Sequence, residues 1–243
     1  MGAERRVVFD LVNVVQGVAK LSQALIRDKR IETLWLLPAS QTRDKDSLTE
    51  VGVASVIKEL RDKFDWVICD SPAGIERGAT LAMRFADAAV IVTNPEVSSV
   101  RDSDRIIGLL DSKTEKAEKG ELVEKHILIT RYDAQRAARG EMLNIEDVLE
   151  ILSIPLLGII PESQEVLRAS NIGSPVTVSG ATSAPARCAP TLWRSPADDH
   201  PDGPQRLARQ AVRTESRMSM FNLFRRCHAS ARFQPRHLCR EQA

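Results

Sequence analysis

The stretch Trp66-Val-Ile-Cys-Asp70-Ser-Pro-Ala-Gly74 joins an apolar run to a carboxylate and a turn of small residues. A strand-end Asp offers hard oxygen atoms to Mg²⁺, as nucleotide hydrolases require. Gly74 lacks a Cβ, so its backbone N–H can approach a terminal phosphate closely. The same pattern equally suits an Asp that only caps a turn. Other apolar runs also end in turn chemistry: Ala88–Thr93 before Asn94-Pro95, His126–Thr130 before Arg131, and Leu156–Ile160 before Pro161-Glu162. On the helical stretch Ser98–Leu110, Arg101, Asp102 and Asp104 fall between the apolar positions. Alternating charges of this kind serve either a partner or ordinary solvation. Cys227, His228, His237 and Cys239 do not match zinc-ligand spacing, so no zinc is assigned.

Positioning these residues requires strands and crossovers. The strand candidates are Leu34–Leu37, Trp66–Cys69, Ala88–Thr93, His126–Thr130 and Leu156–Ile160, each apolar on both faces. Continuous apolar strands belong to parallel sheets covered by helices. Between them, Thr49–Lys63 sets Val53, Val56, Ile57 and Leu60 at helical spacing. Glu76–Phe85, Glu146–Leu152 and Glu165–Ser170 are shorter helical candidates. Ser98–Leu110 opens on cap candidates Ser98 and Ser99 and turns Val100, Ile106, Ile107 and Leu110 inward. The alternation predicts an α/β fold, a doubly wound, mostly parallel sheet flanked by helices. Ligands of such sheets bind beyond the carboxyl ends of the strands, where Asp70 falls.

Composition limits the alternatives. With 34 basic and 33 acidic residues among 243, the chain has no bulk positive charge for nucleic acid. No apolar run approaches the ~20 residues of a spanning helix. The opening residues contain no signal-peptide core, and four scattered cysteines make no disulfide framework. These features predict a soluble protein of a reducing compartment. The averages conceal a break near Gly180. Residues 1–180 carry 23 basic and 28 acidic side chains; residues 181–243 carry 11 Arg, no Lys and 5 acids. The first part is read as the α/β domain and residues 181–243 as an Arg/Pro-rich, poorly ordered tail. That tail is either a disordered basic extension or the product of a shifted reading frame.

Four stretches carry a family resemblance. Asp70-Ser71-Pro72-Ala73-Gly74-Ile75-Glu76 and the run from Thr93-Asn94-Pro95-Glu96 to Asp104-Arg105 resemble the septum-site-determining MinD family of deviant P-loop ATPases. So do Leu37–Lys45 and Val166–Asn171, and the likeness runs from Met1 to about Val178. It implies that Asp70 is the Walker B carboxylate, holding Mg²⁺ through water. Ser71, Pro72, Ala73 and Gly74 would form the switch that senses the γ-phosphate of ATP. Asn94, Arg131, Pro161 and Glu162 would surround the adenine base. Arg101, Asp102 and Asp104 would lie on the surface for which MinC and MinE compete. The resemblance further implies an ATP hydrolase that forms a homodimer on ATP, associates peripherally with the inner face of the cell membrane from the cytoplasm, and helps to place the septum.

The family's phosphate loop has no counterpart here, since no G-x-x-x-x-G-K-[ST] occurs in the 243 residues. The family's phosphate-loop strand lies beside the strand bearing Asp70, so the resemblance implies an incomplete P-loop fold in which two apolar strands, that of Asp70 among them, lose a neighbour. Very weak ATP binding and poor stability are the corresponding expectations. In the tail, Arg217–Arg226 resembles the opening residues of MinE, which favours the frameshift. Met218, Met220, Phe221, Leu223 and Phe224, beside Arg225 and Arg226, could touch an anionic bilayer marginally. The alternatives to an ATPase are a nucleotide-independent fragment binding MinC or MinE through helix 98–110, or a non-functional gene product.

Overall fold

The computed structural model describes residues 6–39, 48–71, 77–176 and 220–225. In chain order these form α1 (Leu11–Val15), α2 (Leu21–Ala24), β1 (Ile26–Arg27), β2 (Trp35–Leu36), α3 (Glu50–Lys63) and β3 (Trp66–Ser71). Then come α4 (Arg77–Arg84), β4 (Ala88–Thr93), α5 (Val97–Lys113), α6 (Glu115–Glu118) and β5 (Glu124–Tyr132). The remainder are α7 (Ala134–Ala138), α8 (Ile145–Leu152), β6 (Leu156–Pro161), α9 (Gln164–Ile172) and β7 (Met220–Arg225).

The main sheet has the order β3-β7-β4-β5-β6. β4 pairs parallel with β5, and β5 with β6. β7 runs antiparallel to both of its neighbours, so β3 and β4 point the same way. The place beside the Asp70 strand, expected to lack a neighbour, thus holds Met220–Arg225; the rest of residues 181–243 lies outside the described residues.

Helices cover one face of this sheet. Val67 and Cys69 of β3 pack with Val53, Val56, Ile57 and Leu60 of α3. Ala89 and Ile91 of β4 meet Ala79 and Met83 of α4 and Ile106 and Leu110 of α5. Ile127 and Ile129 of β5 meet Val100 of α5 and Val148 and Leu152 of α8. Register places Cys69, Ala89 and Ile127 on a common face, since Ala89 and Cys69 both oppose Asn222 and Ile91 opposes Ile127. On the other face Ile68, Val90 and Leu128 are half-buried.

Local sequence explains most helix boundaries. Thr49 caps α3 by accepting the Gly52 N–H at 3.2 Å, and Arg61 and Lys63 suit its carbonyl end. Asn144 caps α8 through the Asp147 N–H at 2.7 Å. α5 differs from the expectation that Ser98 or Ser99 caps it. Glu96, extended after Pro95, occupies the cap position without a side-chain bond, and its carbonyl accepts the Val100 N–H at 2.9 Å. Ser98 and Ser99 lie within the first turn. Leu34–Leu37 also departs from its expected place. Its core, Trp35–Leu36, pairs antiparallel with Ile26–Arg27 in a separate hairpin. The reason is local: Asp28 Oδ1 accepts the N–H groups of Arg30 and Ile31 at 2.8 and 3.0 Å, which reverses the chain. The Arg27 guanidinium lies 5.9 Å from the Trp35 ring centroid and reinforces the hairpin.

Candidate functional site

Because β3, β4, β5 and β6 share one direction, their carboxyl ends form a single edge of the sheet. Asp70 is the penultimate residue of β3 and its side chain is exposed there. Partial burial raises its carboxyl above the usual value of 3.8. Ser71 follows it and is buried. Pro72, Ala73 and Gly74 lie outside the described residues. Cys69 points to the opposite face, where burial pushes its thiol up to about 12, which excludes a thiolate nucleophile at neutral pH.

The other expected residues meet at the ends of β4, β5 and β6. Asn94 follows β4 directly, and its side-chain oxygen accepts the Thr130 hydroxyl at 3.0 Å. Arg131 sits at an irregularity of β5, with φ at 56°, in the left-handed region that non-glycine residues rarely enter. That twist turns its guanidinium toward Glu162, with Nη2 3.3 Å from Oε1. Arg136 of α7 approaches the other Glu162 oxygen at 3.8 Å. The Glu162 N–H donates to the Tyr132 carbonyl at 3.0 Å, which fixes the turn after Pro161 against β5. Asn94, Arg131, Pro161 and Glu162 are therefore gathered at adjacent strand ends, whereas Asp70 stands across β7 from them.

Thr130 and Arg136 escaped the sequence reading. Thr130, a hydroxyl closing an apolar strand one residue before Arg131, was a signal of the same kind as Asn94. Arg136 was not legible, because it reaches Glu162 only through the turn capped by Asp133, whose carboxylate accepts the Gln135 and Arg136 N–H groups.

On α5, Arg101 and Asp104 are exposed and Asp102 is half-buried, on the side away from Val100, Ile106 and Leu110. Their nearest ion pair, Arg105 to Asp102, spans 3.7 Å between well-exposed side chains, so it holds little energy. Among the described residues, no three His, Cys, Asp or Glu side chains group as a metal cage. Nor is any described helix long and apolar enough to cross a membrane.

Solved structures share this fold. A MinD cell division protein of Aquifex aeolicus superposes with a TM-score of 0.63 at 35% identity, covering 76% of this chain and 73% of that one. The MinD chain of a MinC:MinD complex from the same organism gives 0.63 at 37%, covering 73% and 68%. Pyrococcus horikoshii MinD complexed with Mg-ADP gives 0.58 at 26%, covering 74% and 69%. The fold is that of the MinD/ParA class of P-loop ATPases. No sequence-family profile matches the chain. Among curated proteins, the septum site-determining protein MinD of Neisseria meningitidis is 64% identical over 179 residues, which cover 72% of this chain and 66% of that protein. MinD of Escherichia coli K12 is 58% identical over 203 residues, covering 83% and 75%. The chain belongs to the MinD family, and it spans about two thirds to three quarters of the length of these relatives.

Proposed function

We propose that this chain serves the Min system as an ATP-dependent, dimerising switch. Loaded subunits would pair at the inner face of the membrane, recruit the septation inhibitor MinC, respond to MinE and restrict the septum to midcell. The observation that carries this reading is that Asp70 ends its strand on the same carboxyl edge as the cluster of Asn94, Arg131 and Glu162, in a chain 58% identical to E. coli MinD. The Mg-ADP complex of the P. horikoshii neighbour and the MinC:MinD complex of A. aeolicus support it.

The residues present suit Mg²⁺ and an adenine nucleotide. Asp70 supplies an exposed carboxylate on a rigid strand, the kind of oxygen ligand Mg²⁺ takes through its water shell. Thr130 occupies the Asn94 oxygen, leaving the Asn94 NH₂ to donate to a ring nitrogen of adenine. Glu162 holds Arg131 beside the base, and Ser71, Pro72, Ala73 and Gly74 would sense the γ-phosphate. When bound, Mg²⁺ neutralises phosphate charge, while the residues of this chain orient the nucleotide and carry the metal's water. The 243 residues contain no phosphate-cradling loop, so affinity is expected on the order of millimolar or weaker.

Titration with ADP, with and without Mg²⁺, tests the reading. Mg²⁺ should tighten binding by the unaltered chain and have no effect on Asp70→Asn. A Mg²⁺ effect that survives in Asp70→Asn contradicts it. A second reading, a fragment that binds MinC or MinE without nucleotide, draws on the exposure of Arg101 and Asp104. It expects capture of MinE by the nucleotide-free chain and loss of capture in Asp102→Ala and Asp104→Ala.

A further inference from the structure

The backbone of Asn94 is fixed on every side. Thr93 before it and Pro95 after it are buried. The Asn94 carbonyl accepts the Glu96 N–H at 2.8 Å and the Thr93 hydroxyl at 3.2 Å, and the Pro95 carbonyl accepts the Leu143 N–H at 3.0 Å. What remains is the side-chain amide, whose two ends are nearly equal in size and opposite in hydrogen-bond sense. A half-turn about its terminal torsion costs little until a neighbour chooses between them. Thr130 makes that choice. It is β-branched, and the ladder holds it opposite Ile160 of β6. Its hydroxyl lies 3.0 Å from Asn94 Oδ1 and 3.4 Å from the Thr93 carbonyl. Donation to Oδ1 has good length, whereas a flipped amide would send that proton to the Thr93 carbonyl, beyond the usual range. Oδ1 keeps a second lone pair on the side of the NH₂, so the fixed amide presents a donor beside an acceptor.

We propose that Thr130 is the positioning residue that sets the base preference of this edge: by fixing the Asn94 amide, it selects a 6-aminopurine nucleotide over a 6-oxopurine one. The inference rests on the nucleotide reading above and goes further, to which purine is taken and what decides it. Adenine carries a ring-nitrogen acceptor beside an amino donor, the complement of the fixed amide. Hypoxanthine and guanine carry a carbonyl at C6, which would meet Asn94 Oδ1 oxygen to oxygen. On their Watson–Crick side an N1–H would also meet the Asn94 NH₂, donor to donor. The flipped amide reverses both pairs and suits the 6-oxopurine. Thr130 acts only through Asn94 and needs no contact with the base.

Titration of the full chain with ADP and with inosine diphosphate, followed by amide NMR, provides the test, because the two nucleotides differ only at the 6-position and the N1 proton. The unaltered chain should bind ADP about tenfold more tightly than inosine diphosphate. Thr130→Val and Thr130→Ala, which remove the hydroxyl at equal and at smaller volume, should bring the two affinities within about twofold of each other. They should do so by weakening ADP without weakening inosine diphosphate. Thr130→Ser, which keeps the hydroxyl, should keep the preference for ADP. A hydroxyl retained only for the stability of β5 would instead lower both affinities in parallel. ADP binding without preference in the unaltered chain overturns the inference and leaves the nucleotide reading standing. So does an unchanged ratio in the hydroxyl-free variants, a parallel loss of both affinities, or a preference lost in Thr130→Ser. Binding of neither nucleotide by the unaltered chain overturns the nucleotide reading and this inference with it.

Discussion

Asp70 and Glu118 are both carboxylates, yet their surroundings push them in opposite directions. Glu118 receives a two-pronged contact from Arg84, with Nη1 at 2.7 Å and Nη2 at 2.9 Å, and Arg84 also bonds Glu50 of α3. The Arg84 hydrogen bond holds the Glu118 carboxyl below its ordinary 4.5. A lowered carboxyl contributes stability that is present above the unfolded value and is lost as pH falls through the folded one. Glu118→Gln should therefore flatten the loss of thermal stability on acidification below about pH 4.5, with little change near neutrality beyond the lost pair. A parallel acid limb in parent and variant would refute this. Burial raises Asp70 instead, so its ionisation opposes folding above its ordinary 3.8. Asp70→Asn should leave stability at neutral pH unchanged or slightly improved, by urea unfolding, while abolishing the Mg²⁺ effect on ADP. A residue retained for packing would lose stability on that substitution; one retained for a ligand need not.

At the scale of elements, α3 rests against α1 through a glycine. A Cβ at Gly52 would collide with the Val15 Cγ1 methyl and lie 2.9 Å from Thr49 Oγ1. In an exposed helix Gly→Ala would stabilise by about 1 kcal/mol. Here Gly52→Ala should destabilise by roughly 1–3 kcal/mol, because β-branched Val15 has little freedom to yield. The pair Gly52→Ala with Val15→Ala should recover part of that loss; simple additivity would contradict the contact. α5 supplies the complementary case. Leu110 is fully buried between α4 and β4, so Leu110→Ala should cost about 2–5 kcal/mol in urea unfolding. The inward face of α5, with Val100, Ile106 and Leu110, was legible because its apolar spacing matches the helical repeat. β3, β4, β5 and β6 were legible because each is a short apolar run closed by turn residues. The β1–β2 hairpin was not, since Leu34–Leu37 reads as one apolar run and its reversal depends on Asp28, eight residues before its central Leu36. The entry to α5 was misread because two serines resemble a cap more than Glu96 does, while the turn at Pro95 decides where the helix starts.

For the molecule as a whole, the monotonic order of β3, β4, β5 and β6 places α3, α4, α5 and α8 on one face, with Ile68, Val90 and Leu128 half-buried on the other. Nothing in local sequence pointed to β7. Its pairing joins residues about 150 positions apart, and a short apolar segment fits a sheet gap or a bilayer equally well. Asn94, Arg131, Pro161 and Glu162 are named by the family resemblance, but the Thr130 and Arg136 contacts that fix Asn94 and Glu162 arise only when three strand ends meet. Whether that edge is a nucleotide site is the central question, and backbone amide NMR of the full chain titrated with millimolar Mg-ADP answers it most directly. The account predicts concentration-dependent shifts at Asp70, Asn94, Arg131 and Glu162, with those at Asp70 vanishing when Mg²⁺ is withdrawn. Shifts confined to other surfaces, or none at saturating nucleotide, would contradict it.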